Sequence, residues 1–198
     1  MFYGMLVPAL SAIFIIIVGN KLLAGQVDRG SMAYLLTAPV RRLTVTLTQT
    51  LYFIGALVVT FGSMTVTSLL VNHYAEAGFA KKILVELNFG ALAIAFAFAG
   101  IMFLASGVFN LSKLSLGTGG VLILAFILLA VIASFANYGV SGLDDVQHLT
   151  IVSLFDYKDV MAQGDAWQGK LAILGGLGAV CFAGATSPLT KRIYRYKN

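Results

Sequence analysis

Long apolar stretches without a charged side chain alternate with short polar connections along the whole chain. Five of these stretches contain no Asp, Glu, Lys or Arg, and each is at least 20 residues long. A helix that crosses a bilayer needs about 20 mostly apolar residues. The pattern therefore predicts five membrane-spanning helices, with cores at about residues 2–19, 48–70, 89–109, 119–137 and 170–187.

The fold class that follows is all-α, a polytopic membrane helical bundle in which residues 1–198 form a single transmembrane domain. The composition agrees, because hydrophobic residues make up 59 % and charged residues 11 % of the chain. Soluble domains carry about 25 % charged residues, so a water-soluble enzyme is excluded. The first stretch lacks the basic start and the small-residue cleavage site of a signal peptide, and we interpret it as a span.

The basic residues are divided unevenly between the two sides of the predicted bundle. One side holds the 20–47 connection, the 110–118 connection and the tail from residue 188, with nine of the thirteen Lys and Arg. An excess of Lys and Arg marks the cytoplasmic side. This predicts an outside N-terminus, a cytoplasmic C-terminus and a multi-pass protein of the cytoplasmic membrane. The net charge of +5 is explained by topology, so a lipid bilayer is expected as a partner and nucleic acid is not.

Two features of the spans predict how the helices associate. The second span is rich in Thr and Ser, which favours hydrogen bonds between helices; a mildly polar wall of a substrate path is the alternative. Small residues at helical spacing predict close-packed faces on the third and fifth spans, namely Ala91, Ala95 and Ala99, and Gly175, Ala179 and Ala183.

The long outside connection, residues 138–169, is predicted to contain an extracellular amphipathic segment. Its apolar face would comprise Leu149, Val152, Phe155 and Val160. Such a face suits a short helix that lies in the membrane interface or re-enters it.

The sequence indicates neither a catalytic site nor a metal site. No span core carries an ionisable side chain, whereas ion-driven carriers place such groups inside the membrane. Residues 139–142 match the GxSG motif of rhomboid proteases, but His73 and His148, the possible bases, both fall in connections. With Cys181 they lie too far apart along the chain to suggest a metal site. A Walker-type GxxxxGK[ST] is absent from the sequence, so energy for transport would come from a partner.

The connection between the first two spans differs from the others. Residues 20–47, which we call the elbow, read NKLLAGQVDRGSMAYLLTAPVRRLTVTL. Gly30 interrupts a helical spacing, Ser31 suits the N-cap of a second short helix, and Pro39 turns the chain. The elbow is therefore predicted to be a compact cytoplasmic unit, tied to both spans, through which a partner can move them.

The stretch DRGSMAYLLTAPVRR, residues 28–42, resembles the cytoplasmic signature of permease subunits of type-2 ATP-binding-cassette exporters. That signature runs from an acidic residue through Arg, Gly, Ser or Thr and a paired Leu to Pro-Val and Arg. The resemblance implies that the residues of coupling and partner contact are Asp28, Arg29, Gly30, Ser31, Leu35, Leu36, Pro39, Arg41 and Arg42.

The resemblance also implies a function, a permease subunit that exports a substrate with energy from separate cassette ATPases. Those ATPases would hold ATP and Mg, so this chain needs no cofactor, and a second permease copy or a related permease would complete the dimer. No pattern in the spans identifies the substrate. The family usually has six spans, and the first span here corresponds to its second, which predicts a truncated or misassigned start or a shortened variant. A non-transporting scaffold or accessory subunit is the alternative.

Overall fold

A computed structural model describes residues 2–22, 42–75, 78–109, 112–134, 150–155, 157–162 and 166–195. Every regular element in these ranges is helical. The seven α-helices are α1 (Val7–Leu22), α2 (Arg42–Tyr74), α3 (Lys81–Val108), α4 (Ser112–Ser115), α5 (Val121–Ser134), α6 (Tyr157–Met161) and α7 (Ala166–Arg195). Single π turns precede α1 and join α4 to α5, and a 3-10 turn precedes α6; they cover Phe2–Leu6, Leu116–Gly120 and Ile151–Leu154.

Five helices of the described chain are long and apolar enough to cross a membrane, which confirms the predicted number. They are Tyr3–Leu22, Thr46–Tyr74, Lys81–Val108, Ser112–Ala133 and Trp167–Ala185. The fourth begins at Ser112 and not near residue 119, because α4, the π turn and α5 continue as one helix. Its polar first turn carries the exposed Lys113.

The third span, α3, lies at the centre of the bundle and contacts α1, α2 and α7. Ala91, Ala95 and Ala99 are fully buried, as their small size and spacing predicted. Phe98 and Met102 fill the neighbouring space and are also fully buried. Lipid tails are as apolar as these side chains, so close packing and not water exclusion must hold such helices together.

A close backbone contact joins α3 to α7. A Cβ added to Gly100 would lie 2.8 Å from the Gly178 carbonyl oxygen, and one added to Gly107 would lie 3.0 Å from the Ala185 carbonyl oxygen. From the first contact to the second, the position advances by seven residues on α3, from Gly100 to Gly107, and by seven on α7, from Gly178 to Ala185. The two helices therefore run in the same direction. Glycine is required at Gly100 because the facing atoms are backbone, which cannot move aside as a side chain can.

The packing face predicted on the fifth span is wrong. Ala179 and Ala183 are exposed, and a Cβ on Gly175 would have no atom within 4 Å. The buried face of α7 instead consists of Leu171, Leu174, Gly178, Phe182 and Ala185. Because α7 has several small residues in one stretch, its sequence is compatible with two different buried faces. The large apolar residues Leu174 and Phe182 determine which of these faces packs against the bundle.

The bundle has two ends, which we name from the elbow. Helices α1 and α3 both begin at the opposite end and finish at the elbow end. The chain before α7 folds onto the opposite end, where Val152, Phe155 and Val160 are buried. The Phe155 ring covers Gly90 so closely that a Cβ there would overlap it. Three residues of the predicted amphipathic face therefore pack on the bundle, and Leu149 lies outside the described residues.

Candidate functional site

The predicted coupling residues lie almost entirely outside the described part of the chain. This holds for Asp28, Arg29, Gly30, Ser31, Leu35, Leu36, Pro39 and Arg41, while Arg42 is the first residue of α2. The structure does show what the elbow is attached to. It leaves α1 at Leu22 and enters α2 at Arg42, so the way these two helices are held determines what a movement of the elbow can do.

The end of α1 is fastened by a buried group of polar contacts, the elbow-end cluster of Gly19, Asn20, Ser106, Ser112 and Ser115. Asn20 Nδ2 donates a hydrogen bond to Ser112 Oγ at 2.6 Å. Ser106 Oγ lies 3.2 Å from the Gly19 carbonyl oxygen, to which it donates, and 2.7 Å from Ser115 Oγ. The cluster therefore links α1 to both α3 and α4.

The elbow-end cluster adds polar contacts to the packing of α1 against α3 and α4. Interhelical hydrogen bonds in membranes contribute about 0.6 kcal/mol each on average, so several together add to the apolar packing around them. Asn20 is 7 % exposed, and its Oδ1 meets no hydrogen-bond donor among the described residues. A buried amide oxygen without a donor costs about 1–3 kcal/mol, so a donor from outside the described residues is expected to satisfy it.

The second helix of the pair, α2, is held by one stripe of buried residues, which begins near the elbow at Thr46 and Gln49. Phe53, Leu57 and Phe61 recur every four residues and are at most 5 % exposed, whereas Leu51 and Val59 on other faces are more than 70 % exposed. In its most apolar window α2 is 11 % buried, against 67 % for α3. The elbow thus joins a firmly packed helix to a loosely packed one.

Helices α1, α2 and α3 meet at the level of Gly19. A Cβ on Gly19 would lie 2.7 Å from Met102 Cγ of α3 and 3.5 Å from Phe53 Cε1 of α2. Eleven residues of α2 precede Phe53, counted from Arg42, which is about 16 Å of helix at 1.5 Å per residue. Within these turns Thr46 and Gln49 are also buried, at 4 % and 8 % exposed, so α2 is packed to within about one turn of Arg42.

Six hydroxyl groups along α2 do not make the predicted hydrogen bonds between helices. They donate instead to carbonyl oxygens three or four residues earlier in α2 itself, as is common for Ser and Thr inside helices. This is the arrangement at Thr48, Thr50, Thr60, Ser63, Thr65 and Ser68. The prediction is wrong for these residues because a bond within the helix needs no partner helix at the right distance.

An open cleft lies between α2 and the start of α3 at the opposite end of the bundle. Its volume is about 500 Å³, and its lining residues are Ser63, Met64, Thr67, Ser68, Val71, Asn72, Phe79 and Leu84. Asn72 fixes the connection above it, because its Nδ2 donates to the Phe79 carbonyl oxygen at 2.9 Å and its Oδ1 accepts from the Phe79 N–H at 3.2 Å. The cleft and the elbow-end cluster are both features that the sequence analysis missed.

The remaining residues are those considered as possible catalytic groups or metal ligands. His73 is exposed in the last turn of α2 and its ring contacts that of Tyr74. Within the described ranges no three His, Cys, Asp or Glu side chains are grouped so that they could hold a metal ion. His148 and the GxSG motif at residues 139–142 lie outside those ranges.

Comparison with known proteins adds no relative from which a function could be transferred. Any functional conclusion therefore rests on the sequence motif, the fold and the sites described above. No protein-family model, no curated protein and no solved structure matches the chain.

Proposed function

We propose that this chain is the permease subunit of an ATP-driven exporter in the cytoplasmic membrane, driven by separate ATPase subunits. The observation that carries the proposal is the motif at residues 28–42, which resembles the signature of type-2 ATP-binding-cassette permeases. The distribution of Lys and Arg favours a cytoplasmic position for this motif, the side on which cassette ATPases bind ATP. Five apolar helices of membrane-spanning length supply the transmembrane part.

In this proposal, closure of the ATPase subunits on ATP moves the elbow, and the elbow moves the first two spans. A substrate would pass along the interface between two permease subunits. The proposed roles are partner or lipid contact for Arg29, Arg41 and Arg42, elbow shape for Gly30 and Pro39, and docking for Leu35 and Leu36.

The unequal packing of α1 and α2 supports transmission through the elbow. The elbow-end cluster keeps α1 in register with α3 and α4. The buried stripe of α2, from Thr46 to Phe61, leaves most of this helix uncovered, so a shift of α2 would disturb the contacts of one face only. A force on the elbow would therefore change the position of α2 against the rest of the bundle, which is the kind of movement that opens a path.

A non-transporting scaffold or accessory subunit is the second candidate. Within the described residues five helices are long and apolar enough to span a membrane, whereas the family that the motif resembles usually has six. A scaffold would bind the same partners without passing a substrate.

Association with a cassette ATPase separates the two candidates. We expect the affinity-tagged chain, purified in mild detergent from its own cells, to bring a cassette ATPase with it and to change that ATPase's rate of ATP hydrolysis. A variant of the ATPase that lacks its Walker lysine is the control for contaminating hydrolysis. Association with an unchanged rate would favour the scaffold, and the absence of any ATPase would contradict the exporter.

A further inference from the structure

We propose that the cleft between α2 and α3 binds one anionic phospholipid, with an acyl chain inside the cleft and the phosphate at Lys81. This inference requires only that the spans lie in a membrane. It therefore holds for an exporter and for a scaffold alike.

The shape of the cleft fits an acyl chain that enters from the membrane surface. Its lining extends along α2 from Asn72, next to the connection, to Ser63, nine residues away. At 1.5 Å per residue this is about 13 Å of depth. A volume of about 500 Å³ lies within the range of roughly 300–1,000 Å³ that is usual for small-molecule sites. The long axis thus runs from the polar end of the helix toward the hydrocarbon region.

The lining of the cleft carries no charge, which excludes a charged group at depth. Met64, Val71 and Leu84 supply apolar wall. Ser63 and Ser68 have already given their hydroxyl protons to carbonyl oxygens of α2, each at 2.8 Å. Their oxygens therefore need no donor from a ligand, and a hydrocarbon chain can lie against them at little cost.

A lysine lies one helical turn before the residue of α3 that lines the cleft. Lys81 is exposed and precedes the lining residue Leu84 by three positions, which places both on one face of α3. Among the described residues no carboxylate lies within salt-bridge distance of Lys81. Its neighbour Lys82 differs, because its Nζ lies 3.7 Å from Glu86 Oε1 on the same helix. Lys81 is therefore the side chain free to bind a phosphate above the cleft.

The headgroup of the lipid, and not its acyl chain, must determine which lipid binds in the cleft. An acyl chain gains little by leaving other acyl chains for an apolar groove, since both surroundings are equally apolar. A lysine near the membrane surface, in contrast, favours an anionic lipid roughly fivefold. We therefore expect the charge of Lys81 to select anionic phospholipids and the shape of the cleft to accommodate the acyl chain.

Lipid retention in native mass spectrometry tests the proposal. The full chain is purified from membranes of phosphatidylcholine with a minor fraction of phosphatidylglycerol. We expect one phosphatidylglycerol to remain bound per chain. Lys81→Gln should lower the retained fraction roughly fivefold, and Lys82→Gln should leave it nearly unchanged although the net charge changes equally. Thr67→Phe, which fills the cleft from its exposed wall, should abolish retention.

Val66→Phe is the control for bulk on α2, because Val66 is 58 % exposed and does not line the cleft. Equal losses for the two lysine variants would overturn the proposal, as would retention in Thr67→Phe or the absence of any retained phosphatidylglycerol. A dimer that Thr67→Phe dissociates would also overturn it, since a second copy would then occupy the cleft. Should Thr67→Phe fail to fold by circular dichroism, the two lysine variants decide the question.

Discussion

Gly100→Ala is expected to lower the free energy of unfolding by about 1–3 kcal/mol, and Gly100→Leu to prevent stable assembly of the bundle. The added Cβ would lie 2.8 Å from the Gly178 carbonyl oxygen and 3.0 Å from both Gly178 Cα and Cys181 Cβ. Two of these atoms are backbone, so relief requires α3 and α7 to move apart. Unfolding in mixed micelles, followed by circular dichroism and by the fluorescence of Trp167, measures the effect.

Gly176→Ala is the matched control, two residues from Gly178 on the same helix. A Cβ at Gly176 would have no atom within 4 Å, so only helix propensity changes there. We expect Gly176→Ala to raise the free energy of unfolding by about 0.4–1 kcal/mol, opposite in sign to Gly100→Ala. If both variants shift stability in the same direction by similar amounts, the close contact between α3 and α7 is not what holds these helices.

Arg29→Glu and Gly30→Trp are expected to uncouple ATP hydrolysis from transport. Coupling free energies between sites commonly correspond to factors of about 5–150, so export per ATP hydrolysed should fall at least roughly fivefold. Charge reversal would replace an attractive contact by a repulsive one, and a bulky side chain would change the shape of the elbow. The measurements are the ATP hydrolysis rate of the purified complex and the rescue of export in cells that lack the chain.

Lys113→Glu is the control for a charge reversal near the same end of the bundle. Lys113 is exposed in α4, on the side that the charge distribution predicts to be cytoplasmic, and it lies outside the elbow. This variant should retain coupling. Normal coupling in both elbow variants would refute the roles proposed for Arg29 and Gly30.

The five spans could be predicted because their signal does not depend on tertiary structure. A charge-free run of about 20 apolar residues has few alternatives to a membrane helix, and the helices at Lys81–Val108 and Trp167–Ala185 follow from it directly. The burial of Ala91, Ala95 and Ala99 was also predicted correctly, although Ala93 and Ala97 have the same spacing and α3 is buried on every side from Ala97 to Phe103.

The contacts between spans could not be predicted in the same way. Gly175 and Gly178 are equally small, and their size alone does not tell which of them faces α3. The hydroxyls of α2 could bond to a neighbour or to their own helix, and composition does not distinguish the two. Asn20 and Ser106 are ordinary polar residues near span ends, and they become a cluster only because α1 and α3 end at the same level.

The coupling site is a proposal from sequence alone, based on a local motif whose order of residue types resembles a family signature. Its residues from Asp28 to Arg41 lie outside the described chain. The structure adds the two supports of that motif, the fastened end of α1 and the loosely packed α2. Neither the attachment of the end of α1 nor the loose packing of α2 can be predicted from local sequence, because each depends on how neighbouring helices cover that helix.

The side of the membrane on which the elbow lies can be determined by chemical labelling of one residue. In a Cys181→Ala background, Gln26→Cys supplies a single thiol in the elbow, and Lys81→Cys supplies one at the opposite end of the bundle. A membrane-impermeant maleimide added to intact cells should label residue 81 and should reach residue 26 only after the cells are permeabilised. Labelling of residue 26 on intact cells would place the elbow outside, where no ATPase could act on it, and would contradict the account.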